Sequence, residues 1–588
     1  MMNKKLSIQI LGMLLLLVSV AGIAQNKYKL HAHNDYEKEF PFWEAYIHGA
    51  NSIEADVFLK DGKLYVTHAE QEINDNQTLK NLYLDPISQL INNNELRELQ
   101  LLVDIKSEAY STLQSIIEAV QENPELTANK KLRIVISGNR PAPEDYIKYP
   151  EFIQFDHQSL DDLDKIDLEK IAMISKSFGS YSHWNGLGRL TETDLEKVKS
   201  VIKKAHSTGK PFRFWGAPDT KTAWSRFANQ GVDFINTDDP ALASAFLKDL
   251  DNRTFTLDDP IAVYKPQFDY DTNSKPKNVI LMIGDGNGLS QISAALIANR
   301  GELTLTQLQE NGLIKTSSFD DLVTDSAAGA TAMATGTKTN NRAIGTAPNG
   351  KNLKDLTEIL SANGFINGII TTDKITGATP ASFFAHQIER DNSDDILKDL
   401  NNSKIDFFIS EGTDDFEKIK GAFVQKEITQ FENFDQRTAV YLSPDKSRSE
   451  NEFTKDIKKV LHALEDQDKP YFLMIEGAKI DSNGHANNTG GIINEMLDFD
   501  KAIAEVLKTA DKNKNTLVVI TADHETSGFG IMQGNLKDGT VEGGFLSNDH
   551  TASMVPVFSY GPQAHNFTGI FENTAIFDRI LKALEITR

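Results

Sequence analysis

The stretch NVILMIGDG (residues 278–286) is an apolar run that stops at an acid set between two glycines. A run apolar on both faces belongs inside a parallel sheet, and such sheets bind ligands beyond the carboxyl ends of their strands, where Asp285 falls. Two further runs end in the same way. YFLMIEGAKIDSNGHAN (471–487) closes on Glu476, with Asp481 and His485 four residues apart beyond it; TLVVITADHETSG (516–528) closes on Asp523 and His524. His550 precedes a last strand, VPVFSYG (555–561). Four acids and three histidines thereby converge on one sheet edge. Carboxylate with imidazole suits zinc, and an all-oxygen set such as Asp285, Glu476 and a hydroxyl suits magnesium.

In TDSAAGATAMATG (324–336) Ser326 opens a helix of small residues. Free N–H groups and the positive dipole end at a helix start stabilise phosphate and a serine oxyanion. Read alone, Ser326 is an N-cap; beside the converging acids and histidines it is the nucleophile expected here.

Working outward, 277–588 and 25–250 both alternate strands and helices and read as α/β, while 251–276 has no sustained period and reads as a linker. In the first half, NSIEADVFLKDGKLYVTH (51–68) puts Glu54 and Asp56 on one strand face and ends on His68; LQLLVDIK adds Asp104 and Lys106; KLHAHNDY offers His31 and His33. Two inward carboxylates at a barrel mouth make a hard-cation site. About eight strands fit a (β/α)₈ barrel with its chemistry at the strand carboxyl ends.

Lys4 and Lys5, an apolar run from Leu11 to Val20, and Gly22 and Ala24 before Gln25 form a signal peptide over 1–24. The run is too short for a stable membrane anchor. The expectation is a periplasmic or secreted chain, and with no cysteine it has neither disulfides nor a lipid-acceptor thiol. A surplus of 84 acids over 61 bases, net −23, repels phosphate backbones and argues against nucleic acid as partner.

The motifs IGDG, TDSAA, ATPA, EGAKID with His485, TADH and DHTAS occur in the order found in alkaline phosphatases, and 277–588 resembles that family. The resemblance implies an α/β sandwich with a mostly parallel central sheet and a two-zinc, one-magnesium site hydrolysing phosphate monoesters through a phosphoserine. It places one zinc on Asp481, His485 and His550, the other on Asp285, Asp523, His524 and Ser326, and magnesium on Asp285, Thr379 and Glu476. Arg390 falls where the family grips phosphate; its plain alternative is a helix-face charge paired with Glu389 or Asp391. Gly377 and Ser482 depart from the best-known bacterial members, which carry an acid and a lysine there.

Residues 28–240 resemble the glycerophosphodiester phosphodiesterase and phosphatidylinositol phospholipase C-like group through the His motif, EAD, His68, DIK, FRFWGA and TDDP. That implies His33 and His68 as base and acid, Glu54, Asp56 and Asp104 around one Ca²⁺ or Mg²⁺, and Lys106 on the phosphate. Together the halves imply release of inorganic phosphate from small-molecule phosphodiesters. The alternative is an inactive barrel that binds glycerol- or inositol-phosphate head groups beside a working phosphatase.

Overall fold

The computed structural model describes residues 28–161, 163, 166–412, 415–431, 434–442, 452–465 and 467–588, so the signal peptide expected over 1–24 lies outside the described residues. Among them, no helix is long and apolar enough to cross a membrane. The chain divides into two compact units, Met1–Leu250 and Asp251–Arg588.

The first unit is a closed barrel of eight parallel strands: β1 (Lys29–Ala32), β2 (Ser52–Lys60), β4 (Leu99–Ile105), β5 (Leu132–Gly138), β6 (Ile153–His157), β7 (Ile171–Ser177), β8 (Phe212–Trp215) and β9 (Phe234–Thr237). Pairing of β1 with both β2 and β9 closes the ring, and β3 (Lys63–Val66) is an antiparallel hairpin arm on β2. Alternation along β8 sorts its side chains: Phe212 and Phe214 pack among aromatic neighbours, while Arg213 between them turns to the interior and reaches groups on β1, β2, β6 and β9.

The second unit is built on a ten-stranded sheet. Its strands are β11 (Asn278–Gly284), β12 (Glu310–Lys315), β13 (Ile366–Lys374), β14 (Phe407–Glu411), β15 (Val424–Gln425), β16 (Thr438–Tyr441), β17 (Tyr471–Gly477), β18 (Thr516–Thr521), β23 (Val555–Tyr560) and β24 (Gly569–Glu572). The order is β15-β16-β14-β13-β17-β11-β18-β23-β12-β24, parallel except where β23 meets β18 and β12. The central strands β11, β17 and β18 are buried along their whole length, as their unbroken apolar runs require, and hydrophobic layers cover both faces. Four helices matter for the site: α1 (Ser326–Thr335), α2 (Ala378–Ala381), α3 (Lys479–His485) and α4 (Thr489–Asn513).

The linker expected over 251–276 is instead a strap on the second unit. Its β10 (Thr254–Thr256) pairs antiparallel with β21 (Thr540–Gly544), which also carries β20 (Gly530–Asn535). Phe255, Ile261, Tyr264, Phe268 and Tyr270 pack on the hydrophobic layer, and Tyr264 donates to Asp511 at 2.6 Å. An irregular strap buries its apolar residues at uneven spacing, so it shows no period to read.

Candidate functional sites

In the second unit the strand ends deliver what the sequence asks of them. Asp285 follows β11, Glu476 lies near the end of β17, and Asp523 and His524 follow β18 by two and three residues. Asp481 and His485 sit one turn apart on α3, and His550 opens the two-residue strand β22 (His550–Thr551), paired with β19 (Glu525–Thr526). The arrangement brings the ligand atoms of Asp481, His485 and His550, and likewise those of Asp285, Asp481 and His524, within 4.8 Å of one another.

Each imidazole is pinned at Nδ1. His485 donates to the Asn548 carbonyl at 2.7 Å and His550 to that of Thr324 at 2.9 Å. Thr526 donates to Asp481 at 2.5 Å, so its oxygen accepts from His524 Nδ1 at 3.2 Å. Every Nε2 therefore faces the cluster, the atom a metal ligand would use; at His485 the Asp481 carboxylate 3.3 Å away raises the ring's pKa to about 9, so a metal there would displace a proton. His550 Nε2 lies 3.2 Å from His485 Nε2, and His524 Nε2 lies 3.4 Å from both Asp285 and Asp523.

Asp325, not Ser326, caps α1, accepting from the Ala328 N–H at 3.0 Å. That frees the Ser326 hydroxyl, buried at the helix start and 3.2 Å from His524 Nε2. Arg390 does not pair with Glu389 or Asp391; Arg342 takes both, and Arg390 Nη1 donates to the second Asp325 oxygen at 3.0 Å. Asp325 thus orients the serine's helix and the guanidinium together, a role the sequence reading missed. A cleft of about 450 Å³ opens over Ser326, Arg390, Asp481, His485 and His550.

The carboxylates carry the cost of crowding. Burial, then Asp523, Asp481 and Glu476, raise Asp285 well above its ordinary range. Burial, then Asp373, push Glu476 up to about 8, and burial, then Asp481, push Asp523 to about 7. Burial also acts against ionised Asp481, but hydrogen bonding and charge from the histidines outweigh it and hold that group below its usual range. One oxygen each of Asp285 and Asp523, and the Thr379 hydroxyl, are buried without a hydrogen-bond partner. Buried polar atoms left unpaired beside imidazole Nε2 atoms fit cations.

In the barrel, Glu54, Asp56 and Asp104 bring ligand atoms within 4.8 Å of one another. Lys106, expected on the phosphate, spans two of them at 3.0 Å from Asp56 and 2.9 Å from Asp104. His68 Nδ1 lies 3.1 Å from Asp56, and His33 Nδ1 lies 2.7 Å from Asp238; that bond raises the His33 pKa against the effect of burial. His31 is fully buried: Nε2 meets Glu54 at 2.7 Å and Arg213 at 2.6 Å, and burial, then Arg213, lower its pKa to about 4. Arg213 also reaches Asp156 at 3.4 Å. Arg213 and Asp156 escaped sequence reading, although an arginine between two phenylalanines on a barrel strand is itself a sign of an inward charge.

Comparison with known proteins divides the chain in the same way. The alkaline phosphatase family model matches 276–416, 434–541 and 537–586. An AIM6-like phosphodiesterase domain matches 23–108, and the glycerophosphoryl diester phosphodiesterase family matches 211–241. Alkaline phosphatase 4 of Bacillus subtilis is 30% identical over 409 residues, covering 53% of this chain and 89% of that protein. The Escherichia coli alkaline phosphatase is 29% identical, covering 53% and 87%. Among solved structures, the alkaline phosphatase of the Antarctic bacterium TAB5 is 37% identical, with a TM-score of 0.50 over 53% of this chain and 99% of that one. Variants of the TAB5 enzyme are described with magnesium bound in a site termed M3. By sequence, by fold and by the order of its motifs, this chain belongs to the alkaline phosphatase family, with a phosphodiesterase-type domain preceding the phosphatase part.

Proposed function

We propose that this phosphoesterase is exported and has two active sites: the second unit hydrolyses phosphate monoesters through a phosphoserine on Ser326, and the barrel cleaves phosphodiesters such as glycerophosphodiesters. The observation that carries the first reading is the convergence of three imidazole Nε2 atoms and two orphaned carboxylate oxygens around a serine hydroxyl at a helix start. Asp481, His485 and His550 would hold one zinc, Asp285, Asp523, His524 and the serine oxygen a second, and Asp285, Thr379 and Glu476 a magnesium. When bound, those ions supply Lewis acidity and charge neutralisation for a dianionic ester.

The chain's own groups do the rest. Ser326 Oγ, already bonded to His524 Nε2, stands at the N-terminus of α1, where backbone N–H groups meet the phosphoryl oxygens. Arg390, steered by Asp325, offers a planar fork to two of those oxygens and aligns phosphorus with the serine. Ser326 bonds to phosphorus as the ester oxygen leaves, and water then cleaves the phosphoserine to inorganic phosphate.

In the barrel, Glu54, Asp56 and Asp104 would hold one Ca²⁺ or Mg²⁺, which fits the buried Asp56 oxygen without a hydrogen-bond partner. His33, made more basic by Asp238, and His68 would move the protons, and Lys106 would turn from the carboxylates to the phosphate. The test is reciprocal. Ser326→Ala should remove p-nitrophenyl phosphate hydrolysis and spare glycerophosphodiester cleavage, and His33→Ala should do the reverse; undiminished monoester turnover by Ser326→Ala overturns the first assignment.

A further inference from the structure

Beside the barrel's acid cluster lies a cavity of about 700 Å³ that is lined neither by Glu54, Asp56 and Asp104 nor by Lys106. Its walls come from the carboxyl ends of β4, β5 and β6 and the residues just beyond them, Glu108, Asn139, Arg140, His157 and Gln158 among them. Gly138 joins the two places. It sits at φ +67°, and a β-carbon there would fall 2.3 Å from Asp104 Oδ1, so glycine lets the cavity wall press against the acid cluster. Asn139 then ties this loop to the strand end that carries Asp104 and Lys106, donating Nδ2 to the carbonyls of Lys106 at 3.2 Å and Ser107 at 2.9 Å. A diester with its phosphorus at Lys106 therefore has one alcohol arm within reach of the cavity.

The polar groups of the cavity are unevenly matched. Glu108 is already satisfied: as the cap of the helix Ala109–Gln121 it accepts from the N–H groups of Tyr110 and Ser111 at 3.1 and 2.8 Å and from the Ser111 hydroxyl at 2.7 Å. Arg140 is not. Its Nη1 donates to the Asp156 carbonyl at 2.9 Å and its side chain also bonds Tyr146, but neither of those groups is charged, and among the described residues no acid forms an ion pair with the guanidinium. A guanidinium carries five donors in a flat fork, so donors remain for a ligand. His157 is 4% exposed, and its Nε2 has no hydrogen-bond partner, a buried polar atom that calls for a partner from the cavity it lines. Lys176 adds a second positive charge, donating at 3.0 Å to the carbonyl of Gln158.

Resting on the phosphodiesterase reading above, we propose that this cavity is the barrel's specificity pocket and takes an alcohol arm ending in an anionic group, a carboxylate or a phosphate, gripped by Arg140 and met by His157. A neutral arm leaves the guanidinium unmatched, and a cationic arm is repelled by it.

The full-length chain is given glycerophosphodiesters whose second alcohol is choline, glycerol, glycerate or 3-phosphonopropanol, the last because a phosphatase does not cleave its carbon–phosphorus bond, and release of that alcohol is followed by chromatography. The kcat/KM for the glycerate or phosphonate arm should exceed that for the glycerol arm at least about tenfold, with the choline arm lower still. Either acidic arm reaching that margin sustains the inference and names the anion. Arg140→Gln should shrink the margin to about twofold or less, and Arg140→Glu should turn the preference toward choline. Misfolded protein lowers all four rates alike and leaves their ratios unmoved, so the ratios report the pocket. A parent that cleaves all four arms without preferring an acidic one, or an Arg140→Gln variant that keeps the preference, overturns the inference alone; a parent that cleaves none overturns the phosphodiesterase reading with it.

Discussion

The two acid clusters of this chain meet the same electrostatic problem with different amounts of help from their own cations. In the barrel, Glu54 and Asp156 are met from within by Arg213, with His31 on Glu54, and Asp56 and Asp104 are bridged by Lys106. Glu54 is accordingly held below its ordinary range in spite of burial. In the second unit, Asp285, Glu476 and Asp523 lie against one another, and all are raised. Burial and Glu54 keep Asp56 and Asp104 raised in spite of Lys106, so the barrel is neutralised by its own chain only in part, whereas the three acids of the second unit depend far more on positive charge from solution.

The sharpest way to break this contrast is to remove metal. Exhaustive chelation should lower monoester hydrolysis by about a thousandfold or more, the equivalent of about 4 kcal/mol of lost charge stabilisation. Circular dichroism should show the barrel still folded, and readdition of zinc and magnesium should restore the rate.

The next test exchanges the cations. Arg213→Met leaves Glu54 and Asp156 buried without their guanidinium and should cost the barrel about 3–5 kcal/mol in denaturant unfolding. Arg390→Ala breaks a partly exposed pair and should change stability by less than about 1 kcal/mol, its effect appearing in kcat/KM for monoesters instead.

The gentlest test is pH. An acid whose folded pKa is raised binds its proton more tightly in the native state, so its contribution is fully present below the unfolded value and fades as pH rises through the folded one. The metal-free second unit should therefore lose stability as pH climbs through about 7 and about 8, where Asp523 and Glu476 titrate. Saturating zinc and magnesium should flatten that slope; the barrel, where Asp35, Asp56 and Asp104 are raised but Glu54 is lowered, should show a weaker one. Calorimetric melting from pH 5 to 9 would sharpen the comparison or dissolve it.

The sequence made the strand ends legible because buried parallel strands leave unbroken apolar runs, and an acid or histidine just beyond such a run has few places to point. Asp285, Glu476, Asp523 and His524 were readable on that ground, and the (β/α)₈ ring followed from the count of runs. Asp325 was not readable. Asp325 looked like a neighbour of the nucleophile, and its double task emerges only when Arg390, 65 positions away, folds beside it. Arg213 was hidden for a different reason: its partners come from four strands, and no local window contains them.

The strap over 251–276 shifts the seam of the molecule. A cut at Lys277, where motif reading begins the phosphatase half, would tear an edge strand from β21 and bare the hollows that seat Phe255, Tyr264 and Tyr270. Severing after Leu250 leaves them filled. The body that folds as one unit thus starts at Asp251, ahead of the first motif.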